Sequence, residues 1–240
     1  MMSPAHSPEI ENALIVVAKR PAPGRTKTRL TPPLSPAQAA QLYECFLKDT
    51  LELVRRLEHI HPVIAYLPPG QASYFADLAP DFDLLLQQGN SLGERLDHAL
   101  TTYLERGYRR VAVMNSDGPT LPDDHLLACF ESLNDDTDVV IGPCADGGYY
   151  LLGTRMPVPR LTRGVRMSTP RVTIDTLVLA KEEGLRVRLL PHWYDVDDGP
   201  SLWWLFAELS KTPQIARHTR RFLKDHSSIE EVIWALESPS

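Results

Sequence analysis

Apolar residues recur along the chain in two rhythms. Short runs at residues 13–18, 63–67, 82–86, 111–115, 138–141, 149–153 and 187–190 have the length and composition of buried strands. Longer segments with helical spacing lie between several of them. Residues 36–59 read as a long helix capped by Ser35, with Leu42, Phe46, Leu53 and Leu57 on its inner stripe. Residues 91–106, 122–133 and 170–183 read as three more helices, the last ended by Gly184. This alternation predicts an α/β three-layer sandwich, a mostly parallel sheet with helices on both faces. Ligands of such sheets lie at the carboxyl ends of strands.

The expected organisation is a disordered N-terminus over residues 1–10, one domain over 11–205, and a helical extension over 206–240 packed on it. The extension includes a last amphipathic helix near residues 229–236. The aromatic stretch at Trp203 and Trp204 leaves open whether the protein is a homodimer.

Composition narrows the function. The formal charge of -6 argues against a general nucleic-acid binder, and no apolar run approaches the roughly 20 residues of a membrane span. Cys45, Cys129 and Cys144 are widely spaced, without a disulfide or zinc pattern, so a reducing cytoplasm fits best.

Against that acidic background, residues 19–30, KRPAPGRTKTRL, carry Lys19, Arg20, Arg25, Lys27 and Arg29. No acidic residue lies between Glu11 and Glu44. A strand running into such a loop brings main-chain N–H groups and cations to one place, as a di- or triphosphate requires. The loop is no Walker motif, because Thr26 and Pro21 stand where that motif needs glycines. Its single Gly24 also excludes the dinucleotide fingerprint.

Phosphates call for a divalent cation held by hard oxygens. Asp117, in Asn115-Ser116-Asp117-Gly118-Pro119, follows a strand directly; it is either a ligand in the crevice or a plain Asp turn. Asp146-Gly147-Gly148 either meets a sugar or closes a hairpin. Asp195 and Asp197 share one side of an extended stretch, which favours a cation beside them. Gly89, Ser91 and Gly93 flank a helix start that either reads a ligand or is capped by Asn90 or Ser91 with Glu94.

These motifs in this order resemble the bacterial radical-SAM/selenodomain-associated transferases, also called arsenosugar-type glycosyltransferases, of the nucleotide-diphospho-sugar transferase superfamily. The resemblance runs from about residue 13 to 205, through KRPAPGRTKTRL, GNSLGERL, NSDGPTLP, GPCADGGYYLLG, MSTPRV and DVDD. It implies a GT-A fold. Carried over by position, it sets Lys19, Arg20, Gly24, Lys27, Thr28 and Arg29 on nucleotide phosphates, and Gly89, Ser91 and Gly93 near the base. Asp117 and Asp197 would bind Mg2+ or Mn2+. Asp146, Gly147, Gly148, Ser168 and Thr169 would face the transferred sugar or acceptor, with Asp117, Lys27 and Asp146 catalytic. Met167 stands where the family usually has tryptophan.

The expected activity is therefore metal-dependent glycosyl transfer from a nucleotide or nucleotide-sugar donor to a small-molecule acceptor. One alternative is nucleotidyl transfer from a triphosphate to a phosphorylated small molecule. A second is a nucleotide-binding protein without chemistry, against which the retention of both Asp117 and Asp197 argues.

Overall fold

The computed structural model describes residues 11–212 and 214–226. Seven strands form one sheet: β1 (Asn12–Lys19), β2 (Ile60–Leu67), β3 (Asp83–Leu86), β4 (Arg110–Met114), β5 (Val139–Pro143), β6 (Tyr149–Thr154) and β7 (Val187–Leu189). All seven expected strands are present. Their order is β3-β2-β1-β4-β6-β5-β7, and β6 alone runs antiparallel to its neighbours.

Eight α-helices accompany them among the described residues: α1 (Pro36–Arg55), α2 (Ala72–Leu78), α3 (Leu92–Glu105), α4 (Asp123–Ser132), α5 (Pro159–Arg163), α6 (Val172–Glu182), α7 (Gly199–Lys211) and α8 (Arg217–Asp225). Alternation along β1 divides the core. Leu14 and Val16 pack with Leu47 of α1, Phe75 of α2 and Phe130 of α4 on one face. Ala13 and Ile15 pack with Leu100 of α3, Leu161 of α5 and Ala180 of α6 on the other. The result is the three-layer sandwich expected from sequence.

Boundaries needed correction. The first helix stops at Arg55 instead of running to 59, because Ile60 already pairs with Asn12 in the sheet. The short helices α2 and α5 were not anticipated; α2 buries only Phe75 and so shows no apolar stripe. The expected domain boundary after 205 falls inside α7, whose Leu202, Leu205 and Leu209 share a third core with Leu30, Phe46, Val196 and α8's Phe222. The expectations for residues 1–10 and for a helix near 229–236 lie outside the described residues.

Topology locates the site. The chain leaves β1 towards β2 and β3, then returns to β4 on the other side of β1. That reversal opens a crevice at the carboxyl ends of β1 and β4, where the basic loop and Asp117 emerge. No helix among the described residues is long and apolar enough to cross a membrane.

Candidate active site at the β1–β4 crevice

Backbone and side-chain bonds draw three loops together there. Val196 N–H donates to Asp117 O at 3.0 Å, joining the segment before α7 to the loop after β4. Asn115 Nδ2 donates to Asp195 Oδ2 at 2.8 Å, and Asn115 Oδ1 accepts from Asp117 N–H at 3.3 Å. Tyr43 of α1 accepts from Lys19 N–H at 3.2 Å and pairs with Ser116 Oγ at 2.9 Å, which fixes the end of β1. Asp198 caps α7 in a reciprocal bond pair with Ser201, and so sets the direction in which Asp197 leaves the helix.

Lys27 sits at the centre. Its Nζ lies 2.5 Å from Asp117 Oδ1 and 2.8 Å from Asp197 Oδ1, and Arg29 holds Asp197 Oδ2 at 2.7 Å. The Lys27 side chain is only 5% exposed, beneath the Tyr43 and Phe46 rings. Burial alone would lower its ammonium, but the Asp117 and Asp197 carboxylates outweigh it and hold the group above its ordinary value. Asp195 goes the other way. Burial, reinforced by the Asp117 charge, pushes its carboxyl up to about 7, against the Asn115 bond and Lys27. Its Oδ1 is buried, and the Cys144 thiol lies against the same carboxylate.

The crevice has two lobes that share Asp117, Asp197, Arg29 and Ser168 on their common wall. The basic lobe, about 470 Å³, adds Lys19, Arg25, Lys27 and Thr28 from the β1 loop and Arg95 from α3. The second lobe, about 510 Å³, adds Asp146, Gly148, Thr169 and Asp195 over apolar walls that include Tyr149 and Met167. The predicted residues Lys19, Lys27, Thr28, Arg29, Asp117, Asp146, Gly148, Ser168, Thr169 and Asp197 are thus brought to one crevice.

Others serve structure. The Arg20 guanidinium bonds Gln71 Oε1 and covers the Tyr74 ring at 5.2 Å, outside both lobes. Gly24 turns the loop at φ +69° without contacting the crevice. At the start of α3, Ser91 Oγ accepts from Glu94 N–H and Glu94 accepts from Asn90 N–H, so these donors are already used. Gly89 supplies a turn at φ +125° there. Gly93 is a packing glycine, since a Cβ on it would lie 2.1 Å from Thr162 O of α5. Gly147 likewise admits the Ser168–Thr169 loop: at φ +87°, its Cβ would fall 2.0 Å from Pro170 O. The Asp146 turn is both a hairpin, with Cys144 N–H donating to Gly148 O at 2.9 Å, and a cleft wall. Sequence reasoning missed Arg95 and Tyr149. Arg95's helical position three residues after Leu92, which also lines the crevice, was the available signal.

A divalent cation would find hard oxygen donors here. Asp117 and Asp197 already converge on one cationic group, and Asp195 lines the same cleft. The donor set therefore fits such an ion.

A family model described as uncharacterized protein conserved in bacteria (DUF2064) matches residues 50–169, half of the chain. The chain belongs to this family. The matched span holds Asp117, Asp146 and the Ser168–Thr169 loop; the basic loop and Asp197 lie outside it. No match was found among curated proteins. A crystal structure from Desulfovibrio desulfuricans G20, of a candidate nucleotide-diphospho-sugar transferase, is 32% identical and covers 93% of this chain and 98% of its own, with a TM-score of 0.86. A cytidylyltransferase from Leptospira borgpetersenii serovar Hardjo-bovis covers 92% of this chain and 97% of its own at 14% identity and a TM-score of 0.55. CMP:2-keto-3-deoxy-manno-octonic acid synthetase, in complex with CTP, covers 83% of this chain and 99% of its own at 12% identity and 0.53. The last two likenesses are of fold.

Proposed function

We propose that the protein is a metal-dependent transferase that takes a nucleotide-activated donor, and that it moves a glycosyl group from a nucleotide-diphospho-sugar to a small-molecule acceptor. The observation that carries this reading is the position of Asp117 and Asp197 on the wall between a cationic lobe and a carboxylate-lined one. Lys19, Arg25, Lys27 and Arg29 would bind the donor's phosphates, and Asp146 with the Ser168–Thr169 loop would face the sugar. Asp117 and Asp197, with Asp195 beside them, would hold Mg2+ or Mn2+. When bound, that ion supplies charge neutralisation at the departing diphosphate. Lys27 and Arg29 would stay with the leaving group and stabilise its growing charge.

The 32% identity to a candidate nucleotide-diphospho-sugar transferase supports glycosyl transfer. The ordered motifs support a place among the radical-SAM/selenodomain-associated transferases, and three free cysteines support a cytoplasmic setting. One observation favours nucleotidyl transfer as a second reading. The basic lobe holds five Lys and Arg residues against Asp117 and Asp197, a surplus that suits the higher charge of a triphosphate.

The products decide between them. The protein is incubated with Mn2+ and either nucleotide sugars or nucleoside triphosphates plus sugar phosphates. Release of nucleoside diphosphate from a nucleotide sugar is expected. Pyrophosphate release from a triphosphate that depends on the sugar phosphate would overturn glycosyl transfer.

A further inference from the structure

The two lobes differ in charge as well as in position. Residues confined to the second lobe include two carboxylates, Asp146 and Asp195, and apolar walls from Leu96, Val113, Tyr149 and Met167. Among the described residues lining it, the only cation is Arg29, on the shared wall and already paired with Asp197 at 2.7 Å. The Tyr149 hydroxyl is turned to Met167 Sδ at 3.9 Å, which leaves its ring as an apolar surface.

The start of α6 borders this lobe, and a helix N-terminus ordinarily welcomes an anion. Here the donors nearest the lobe are spent. Val172 N–H donates to Thr169 O at 3.3 Å, and Thr173 N–H to Gly147 O at 3.0 Å. Thr173 Oγ1 donates to Gly148 O at 2.5 Å, and Arg171 N–H to Thr169 Oγ1 at 3.4 Å. Asp175 adds a negative charge to the first turn. Away from the wall shared with the basic lobe, where Arg29 and Ser168 stand, the described side chains of the second lobe offer an anion no free donor, whereas the Asp146 carboxylate is available to hydroxyl or ammonium donors.

Resting on the glycosyl-transfer reading, we infer that this lobe selects an uncharged or cationic glycosyl group and rejects an acidic one, with Asp146 as the specificity-determining residue. Hydroxyls or an ammonium on the sugar donate to Asp146, and the sugar's C–H face lies on Tyr149 and Met167. A uronate would set its carboxylate against the like charge of Asp146, with no unpaired cation confined to this lobe to offset it. Asp146 is exposed, and Asp195 is held by Asn115, so the tunable charge is that of Asp146.

The test begins with calorimetric titration of ADP, CDP, GDP, UDP and dTDP in the presence of Mn2+, which fixes the base. The matched hexose and uronate of that base follow, UDP-glucose against UDP-glucuronate for uridine or GDP-mannose against GDP-mannuronate for guanosine. The hexose is expected to bind at least ten-fold more tightly than the uronate. Asp146→Asn, which keeps an acceptor for Gly148 N–H, should narrow that ratio to within about three-fold, and Asp146→Lys should reverse it. Equal binding of the pair in the unaltered protein overturns the inference, as does a ratio unmoved by both variants. If diphosphates bind but neither sugar adds affinity or protection, the lobe does not hold the sugar and the inference again falls. Failure of every diphosphate to bind is a different result: it removes the glycosyl-transfer reading itself, and this inference with it.

Discussion

Lys27 and Asp117, far apart in sequence, meet in a 2.5 Å ion pair that also engages Asp197, so one buried ammonium holds together two carboxylates from separate loops. Removing that ammonium leaves two like charges facing each other. Lys27→Met is expected to cost about 1–3 kcal/mol, below the roughly 3–5 of a fully buried broken pair, because both aspartates are near one-third exposed. Mn2+ should restore stability to the variant more than it stabilises the unaltered protein, since the ion then meets the carboxylates without a competing cation. Urea unfolding with and without Mn2+ measures both effects. A variant as stable as the parent, or one indifferent to Mn2+, would count against Asp117 and Asp197 as a shared cation site.

Gly147 and Gly24 both have positive φ, yet substitution should separate them. A Cβ at Gly24 meets nothing within 4 Å, so Gly24→Ala carries only the left-handed backbone cost of about 1–2 kcal/mol. At Gly147 the same strain is joined by a Cβ 2.0 Å from Pro170 O, and main chain cannot rotate aside as a side chain can. Gly147→Ala should therefore destabilise by more than about 2 kcal/mol and displace the Ser168–Thr169 loop. Thermal unfolding of the two variants side by side tests this; equal melting temperatures would contradict it.

The Asp138–Arg186 pair gives acid stability a predictable sign. Arg186 bonds first, then its backbone N–H, hold the Asp138 carboxyl down at about 2, from an ordinary 3.8. A folded value below the unfolded one contributes stability that is complete above about pH 4 and fades as pH falls towards 2. The contribution stays below about 2 kcal/mol, because Arg186 is half exposed. The stability gap between the parent and Asp138→Asn should accordingly close between pH 5 and pH 2.5 in denaturant titrations. A gap that widens with acid would show that Asp138 acts otherwise.

The strands and long helices were legible because each carries its own periodic signal. Ser35 and Ser91 announced helix starts through local side chains, and both cap as expected. The cap of α8 carried no such signal. Ala216 stands at its N-cap, and the acceptor is Asp49 of α1, which takes His218 N–H, Thr219 N–H and Thr219 Oγ1 at 2.9, 2.9 and 2.6 Å. Glycines misled for a related reason. Gly93 and Gly147 look like ligand-facing residues in sequence, yet each is required by a neighbour, Thr162 or Pro170, that only tertiary packing supplies. In the crevice, residue types foretold the carboxylates and cations, but not that Lys27 would turn to Asp117 and Asp197 or that Arg20 would turn away.

That last difference yields a direct comparison between two arginines of the same loop. Arg29 lines both lobes, is 69% exposed, and spends one nitrogen on Asp197, which leaves its remaining donors to a phosphate. Arg20 lines neither lobe and is held by Gln71 and the Tyr74 ring. Arg29→Ala should weaken binding of the preferred nucleoside diphosphate at least ten-fold, the loss of one charge-assisted contact of about 1.5–3 kcal/mol. Arg20→Ala should change that affinity by less than about three-fold, because surface substitutions away from the ligand stay within roughly 0.5 kcal/mol. Calorimetric titration at two salt concentrations separates contact from general attraction: the Arg29 deficit should persist at high salt, and any small Arg20 effect should vanish. A deficit of similar size in both variants would mean that the whole basic loop attracts the nucleotide as a diffuse field rather than gripping its phosphates from within the crevice.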